Sequence, residues 1–242
     1  MQEHEYVKMD AVEERMFFYR ALHERLRLCL DRFAPPDAAV LDAGCGTGGF
    51  LNHLQRRRPL LRLAGVDVSP IACELARRKT GLQIEQASVE ELPFEDERFE
   101  AIVSSDVLCV LDEAEPALHE LERCLRRGGI LVLSLPAYEW LRSYHDEAVG
   151  TKHRFRRGQL IEMLERAGLG AVFATYWNTL LFPLALARRK LVPPRTRESD
   201  VELQHPLVEA TFRGLLALEA IPIRLGIRLP FGLSVLVAAR RL

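Results

Sequence analysis

The chain has 242 residues, of which 48% are apolar and 28% are charged, and its formal net charge is -1. This length and composition suit one globular α/β domain with a complete core. The balanced charge excludes the basic field that a nucleic-acid-binding protein carries over its surface.

Two further features exclude other classes of protein. The five cysteines are scattered without C-x-x-C spacing, so we interpret them as reduced thiols and expect neither a disulfide framework nor a metal site. The N-terminal sequence MQEHEYVKMD lacks the apolar stretch of a signal peptide, and no apolar run reaches the ~20 residues of a membrane-spanning helix. We therefore expect a cytoplasmic protein.

The first 36 residues have a helical pattern. Apolar side chains recur at steps of three and four residues between Met9 and Phe33, and Pro35 and Pro36 end the run. We predict a single helical region here, as an N-terminal cap over residues 1–36.

The stretch AVLDAGCGTGGF, residues 39–50, predicts a strand, a tight glycine turn and the start of a helix. One choice of its glycines fits the dinucleotide pattern G-x-G-x-x-G, and another fits G-x-G-x-G equally well. The carboxylate of Asp42 favours the second. Placed two residues before the turn, it repels a pyrophosphate but attracts a ligand that carries an ammonium and a sulfonium group.

With this turn the chain resembles the class I S-adenosylmethionine-dependent methyltransferases, whose first motif is D-x-G-x-G-x-G, and within them a type 11-like bacterial branch that acts on small molecules. The resemblance implies a doubly wound, Rossmann-like α/β sheet of seven mostly parallel strands, with an N-terminal helix and a helical insertion before the last strand. It also implies S-adenosylmethionine as the cofactor. The residues of the turn expected to bind it are Asp42, Gly44, Cys45, Gly46 and Gly48.

Within the cap, the run Phe17-Phe18-Tyr19-Arg20 resembles a helix that covers the cofactor in a subgroup of the family. Tyr19 and Arg20 are the expected contacts, since an arginine can pair with the methionine carboxylate. The alternative role of the two phenylalanines is to dock the helix on the core.

The second predicted strand, residues 62–68, ends in Asp67, which follows Asp42 at close to the ~20-residue interval typical of a ribose-binding carboxylate. We expect Asp67 and Val68 to contact the cofactor. Ser69 and Pro70 then predict the start of a helix over residues 71–79.

The third and fourth predicted strands, residues 83–86 and 99–104, are each followed by expected cofactor contacts. After the third come Ser88 and Val89, in a segment that resembles the adenine-binding segment of the family, although the family usually has an Asp where Ser88 stands. After the fourth, Ser104 and Ser105 are expected near the sulfonium. A helix over residues 114–126 and a fifth strand over residues 130–135 follow.

Residues 136–155 leave the generic pattern and contain the two candidate catalytic residues. The stretch resembles the pattern H-D-x-x-x-G-H-x-R-R-Y, which occurs in a bacterial branch of the family: His145 and Asp146 match it by position, and His153 stands two residues after the place of its second histidine. One interpretation makes His145 or His153 a general base or a group that orients the acceptor. The other is a loop held by hydrogen bonds, with His145 and Asp146 as a local clip.

A helix over residues 159–167 and a strand over residues 171–176 precede an insertion, residues 177–232, which contains two apolar helical pieces, residues 179–187 and 207–218, and a basic run. We expect a lid over an apolar acceptor. A homodimer interface and a peripheral membrane contact are the alternatives. Residues 233–242 are predicted to form the last strand, after the cofactor-binding core of residues 37–176.

The sequence thus predicts a single-domain methyltransferase that acts on an apolar small molecule, a natural product or a lipid-like acceptor. No nucleic acid is expected as a partner. The alternative is a protein of the same fold that binds S-adenosylmethionine without methylating, as a binding module or a rearrangement catalyst. An NAD-dependent oxidoreductase is less consistent with Asp42.

Overall fold

The structure is a computed structural model that describes residues 3–191 and 201–242. Residues 1–2 of the predicted cap and 192–200 of the predicted insertion lie outside the described residues, and no side chain from 189 to 191 is described.

The described strands form one sheet. Their bounds are β1 Ala39–Ala43, β2 Arg62–Asp67, β3 Ile84–Gln86, β4 Phe99–Ser105, β5 Leu125–Pro136, β6 Leu169–Trp177 and β7 Ser234–Arg241. Their order across the sheet is β3-β2-β1-β4-β5-β7-β6. β1 to β5 pair in parallel, whereas β7 is antiparallel to both β5 and β6. The predicted seven-stranded, mostly parallel sheet is therefore confirmed.

The helices cover both faces of this sheet. Their bounds are α1 Glu3–Val12, α2 Phe17–Phe33, α3 Gly49–Arg57, α4 Pro70–Thr80, α5 Glu115–Cys124, α6 Tyr144–Val149, α7 Arg157–Arg166, α8 Phe182–Leu191 and α9 Pro206–Arg224, and a short 3-10 helix spans Glu139–Leu141. Helices on both faces bury the central strands, which explains why Val40, Leu41 and Val237 have no exposed surface.

The strand order reverses between β1 and β4, and this reversal determines where a ligand-binding crevice is expected. The chain runs outward from β1 through β2 to β3, then returns to β4 on the other side of β1. In open α/β sheets, ligands bind at the carboxyl ends of the strands where the order reverses. Asp42 near the end of β1, Asp67 at the end of β2 and Asp106 just after β4 consequently share one edge.

The helical cap is two helices, not the single region that was predicted. The break between α1 and α2 lies at residues 13–16, where Glu13 turns inward, 3% exposed, and accepts a hydrogen bond from Thr47. The backbone N–H of Phe17 at the start of α2 donates to Glu209 of α9, 2.8 Å away. Both contacts come from distant parts of the chain, so helical periodicity alone does not reveal the break.

The fifth strand begins earlier than predicted, at Leu125, and the preceding helix ends at Cys124. Leu125 pairs with Phe99, and the next pairing joins Ile130 to Ala101, with an irregular register between the two. The glycines at 128 and 129 lie inside this irregular strand and do not close the helix.

Helix α9 of the insertion is fixed by a buried acidic residue. Glu219, 3% exposed, accepts hydrogen bonds from the backbone N–H groups of Asn178, Thr179 and Leu180 at 2.6, 2.7 and 3.1 Å. The guanidinium of Arg25 on α2, 1% exposed, lies 3.9 Å from the same carboxylate. Glu219 thus holds α9 to α2 and to the turn that follows β6.

Within the described part of the chain, no helix has both the length and the apolar composition to cross a bilayer.

We expect Glu219→Ala to destabilise the protein, because it leaves three backbone N–H groups and the charge of Arg25 without their acceptor. Breaking a buried pair from one side costs about 3–5 kcal/mol of unfolding free energy, which urea denaturation followed by circular dichroism measures. Glu202→Ala, at an exposed position of the same insertion, should change it by less than about 0.5 kcal/mol. Similar losses in both variants would contradict the anchoring role of Glu219.

Candidate active site

The glycine turn after β1 packs against two neighbouring segments. The N–H groups of Gly44 and Cys45 both donate to the carbonyl of Val66 in β2, at 2.8 and 2.9 Å. A Cβ on Gly44, where φ is +81°, would stand 2.2 Å from the side chain of Val107. Only glycine fits here, because the backbone is left-handed and the loop after β4 presses against it.

Gly48 precedes α3 and makes no side-chain cap for that helix. Its φ is +82°, and a Cβ there would stand 3.0 Å from Ala76 of α4. The first residue of α3, Gly49, lies against the carboxylate of Glu13, and a Cβ on Gly49 would meet it. A helix start at the carboxyl edge of a sheet attracts polar and negatively charged groups, and here Glu13 is such a group.

Asp42 is a buried carboxylate that accepts no hydrogen bond from the described residues and is 3% exposed. Burial, followed by the charges of Asp67 and Glu13, raises its pKa to about 8. A carboxylate buried without a partner is unfavourable unless a cation joins it. The cradle of glycines beside Asp42 therefore fits a cationic ligand, as S-adenosylmethionine is.

Asp67 accepts several hydrogen bonds at the end of β2. One of its oxygens accepts from the N–H of Gly46 at 2.8 Å, and the other accepts from the N–H of Ser69 at 2.9 Å. The hydroxyl of Tyr6 on α1 lies 3.5 Å from the second oxygen. Burial raises the pKa of Asp67, although the two backbone hydrogen bonds act in the opposite direction. The neighbouring Val68 is 65% exposed.

Helix α1 and Glu13 lie over the glycine turn, a contact that the sequence did not predict. One oxygen of Glu13 accepts from the hydroxyl of Thr47 at 2.6 Å and also pairs with Lys79. The methyl group of Met9 stands 2.9 Å from the position of a Cβ on Gly46. No local pattern marks these residues, because their partners lie in the turn and in α4.

The two expected contacts on α2 differ in position. Tyr19 is half-buried, and its pKa is raised by burial and by the charges of Glu13 and Asp106. Arg20 is exposed. Burial lowers the pKa of His53, and the charges of Arg27, Arg57 and Arg20 act in the same direction. Tyr19 therefore lies near the carboxylates of Glu13 and Asp106, whereas Arg20 lies at the surface and acts on His53.

Two of the three serines predicted to contact the cofactor form hydrogen bonds within the protein. The hydroxyl of Ser88 accepts from the N–H of Glu90 at 3.2 Å, and the neighbouring Val89 is buried. The hydroxyl of Ser104 donates to the carbonyl of Ala43 at 2.8 Å and so ties β4 to β1. Ser105 is half-buried at the crevice edge. Their roles toward the cofactor stay predictions.

Asp146 and Arg154 form a buried ion pair that links the two ends of the segment after β5. Both nitrogens Nε and Nη2 of Arg154 lie 2.8 Å from one oxygen of Asp146, and Nη1 donates to the carbonyl of Ala137 at 2.9 Å. The other oxygen of Asp146 accepts from the N–H of Ser143 at 2.8 Å. The loop is thus held by Asp146 and Arg154.

The two candidate catalytic histidines, His145 and His153, lie on the segment that this ion pair holds. His153 is exposed, with Nε2 3.1 Å from the carbonyl oxygen of Asp112, and its backbone N–H donates to the carbonyl of Cys109 at 3.0 Å. His145 lies half-buried on α6. Their assignment as a base or an orienting group stays a prediction.

A cluster of aromatic rings covers the carboxyl ends of β5 and β6. The rings of Tyr138 and Tyr176 stack with centroids 5.1 Å apart, and Trp140 lies 5.8 Å from Tyr138. Phe182 at the start of α8 contacts Trp140 at 6.1 Å and Phe231 at 5.4 Å. The insertion thereby contributes to an apolar wall on the same edge of the sheet as the glycine turn.

Comparisons with known proteins agree with this geometry. Residues 41–133 match the family model described as a methyltransferase domain. An uncharacterized methyltransferase of Bacillus subtilis is 38% identical over 112 residues, 43% of this chain and 46% of that protein. The fatty-acid O-methyltransferase of Mycolicibacterium smegmatis is 30% identical over 115 residues, 44% of this chain and 42% of that protein. The chain spans about half the length of these two curated relatives.

A solved structure supports the fold over a longer stretch. Geranyl diphosphate C-methyltransferase from Streptomyces coelicolor, in complex with Mg²⁺, geranyl diphosphate and S-adenosyl-L-homocysteine, superposes with a TM-score of 0.60. The superposition covers 92% of this chain and 79% of that one at 19% sequence identity. At this identity the likeness concerns the fold.

The raised pKa of Asp42 predicts how the stability of the ligand-free protein depends on pH. The native state holds this proton more tightly than the unfolded chain does, so the contribution of Asp42 to stability falls as the pH rises from about 4 to about 8. Asp42→Asn removes the charge, and we expect it to raise the unfolding free energy at pH 8 by about 1–3 kcal/mol.

Urea denaturation at pH 5 and pH 8 measures this effect, and Asp37→Asn, at an exposed carboxylate, is the matched control. The gain from Asp42→Asn should be larger at pH 8 than at pH 5. A loss of stability at pH 8 would show that the charge of Asp42 is compensated within the protein.

Proposed function

The chain belongs to the class I S-adenosylmethionine-dependent methyltransferases, and we propose that it transfers a methyl group from this cofactor to a largely apolar small molecule. The observation that carries the proposal is the buried, unpartnered Asp42 beside a glycine turn at the reversal of the strand order. When bound, the cofactor supplies a methyl group already activated on a positively charged sulfur.

We propose that Asp42 and the glycine turn hold the positively charged part of the cofactor and that Asp67 accepts from its ribose hydroxyls. The carboxylate of Asp67, which already accepts from the N–H of Gly46 in the glycine turn, is the polar group of the crevice that supports this arrangement. Tyr19 is proposed to cover the cofactor from α2. Because the methyl donor is already activated, the protein's main tasks are alignment of the acceptor and exclusion of water.

The aromatic cluster supports an apolar acceptor. Tyr138, Trp140, Phe182 and Phe231 form a wall at the edge where the methyl group would be presented. Pockets for small molecules are lined mainly by apolar and aromatic groups with a few polar ones. The names of two similar proteins, a fatty-acid O-methyltransferase and a geranyl diphosphate C-methyltransferase, are in keeping with this class of acceptor.

Calorimetric titration tests the cofactor. We expect S-adenosylmethionine and S-adenosylhomocysteine to bind and NAD not to bind, since Asp42 repels a pyrophosphate. Asp67→Ala should lower the affinity for S-adenosylmethionine about tenfold or more, because hydrogen bonds to a charged group are among the stronger ones. Asp37→Ala, at an exposed carboxylate away from the turn, should leave the affinity unchanged. Binding of NAD alone would overturn the proposed function.

We propose that the two histidines orient the acceptor. Because the ring of His153 lies against the carbonyl of Asp112 at the surface, His153→Ala should lower turnover less than His145→Ala. The measurement is methyl transfer to a panel of fatty acids, phenols and isoprenoids with labelled S-adenosylmethionine. Full turnover in both variants would remove the histidines from the proposed site.

A further inference from the structure

We propose that Asp106 is the group that holds the acceptor by an O–H or N–H and takes its proton during methyl transfer. This inference rests on the proposed function and adds to it that the acceptor atom is a protic nucleophile, a hydroxyl or an amine. The segment directly after β4, residues 106–110, contains Asp106 and no histidine.

The backbone of Asp106 is held in a conformation that side chains rarely adopt. Its φ is +55°, directly after the carboxyl end of β4, and its N–H donates to the carbonyl of Ser134 in β5 at 2.9 Å. A left-handed residue other than glycine persists only where the surrounding structure imposes it, and such residues cluster at functional sites. Asp106 is thereby held at the carboxyl edge of the sheet, where β1 and β2 also end.

The carboxylate of Asp106 is available to a ligand. It accepts no hydrogen bond and forms no ion pair with the described residues, and its side chain is exposed although the surrounding protein is dense enough to raise its pKa to about 7. Asp106 thus differs from Asp146, whose two oxygens already accept from Arg154 and from the N–H of Ser143.

The titratable groups that face Asp106 do not compete with it as bases. Tyr19 from α2 and the Cys109 thiol both have pKa values raised by burial and by the charge of Asp106 itself, so they stay protonated at neutral pH. Arg154 is the positive charge that acts on Asp106, and it is already paired with Asp146. Asp106 therefore ionises in the neutral range, which suits a general base.

In the proposed step, methyl transfer to the acceptor is accompanied by loss of the acceptor proton. The acceptor oxygen or nitrogen forms a bond to the methyl carbon while the bond from carbon to sulfur breaks, and its electron pair stays on sulfur. The proton that the acceptor loses passes to an oxygen of Asp106, which then releases it to solvent. The products are a methylated acceptor and S-adenosylhomocysteine.

The test uses small probes with the full-length protein saturated with S-adenosylhomocysteine, so that no turnover occurs. Phenol and benzylamine carry the protic group, and anisole is phenol with that proton replaced by methyl. Ligand-detected NMR gives the dissociation constants. We expect the wild type to bind phenol or benzylamine about tenfold more tightly than anisole, because a carboxylate is a strong acceptor, and the preferred probe distinguishes a hydroxyl from an amine acceptor.

Three variants complete the test. Asp106→Gly suits the positive φ and removes the carboxylate, so the preference over anisole should be lost. Asp106→Asn should keep an acceptor oxygen while abolishing a carboxyl titration near pH 7, followed by NMR of carboxyl-labelled aspartate. Asp112→Asn removes an exposed carboxylate, the partner of Lys152, and should keep both the preference and the titration.

Equal binding of the three probes to the wild type, or an unchanged preference in Asp106→Gly, would overturn the role of Asp106 and leave the proposed function standing. Survival in Asp106→Asn of the titration near pH 7, as distinct from that of Asp42 near pH 8, would overturn it as well. Failure of the wild type to bind S-adenosylhomocysteine would overturn the proposed function, and this inference with it.

Discussion

The cost of ionising Asp42, which is buried near the end of β1, is the constraint around which the active-site edge is arranged. The strand order brings Asp67 and Asp106 to the same edge, and Glu13 adds a further carboxylate from outside the sheet. The charges of Asp67 and Glu13 add to the effect of burial and make ionisation of Asp42 harder. A bound cation relieves this cost, so in the proposed site the same charges would favour the sulfonium form of the ligand over its neutral product.

The insertion between β6 and β7 is bound to the N-terminal part of the chain through buried acidic residues. Glu209 accepts from the start of α2, and Glu219 accepts from the turn after β6 while facing Arg25. The rings of Phe17 and Phe212 meet with centroids 5.1 Å apart. Because α2 and α9 are held in this way, the wall that α8 contributes is set in place relative to the crevice.

The parts of the fold that local patterns encode could be predicted from the sequence. The strands around the glycine turn and the helix capped by Ser69 follow from local chemistry, and Ser69 does accept from the N–H of Ala72. The break at Glu13 and the anchoring by Glu219 depend on partners far along the chain, which no periodicity reveals. The left-handed backbone of Asp106 has no local signal either, because its N–H is held by the carbonyl of Ser134 in the neighbouring strand.

The contact between Tyr6 and Asp67 bears on how quickly a nucleoside can exchange. In the proposed site, a ribose hydroxyl that reaches Asp67 would take the position of the Tyr6 hydroxyl, so α1 would have to move before the ligand binds. The rate of entry would then depend on how often this helix detaches as well as on diffusion. The same helix, closed again over the nucleoside, would slow its departure, and the residence time of the product would become a property of α1.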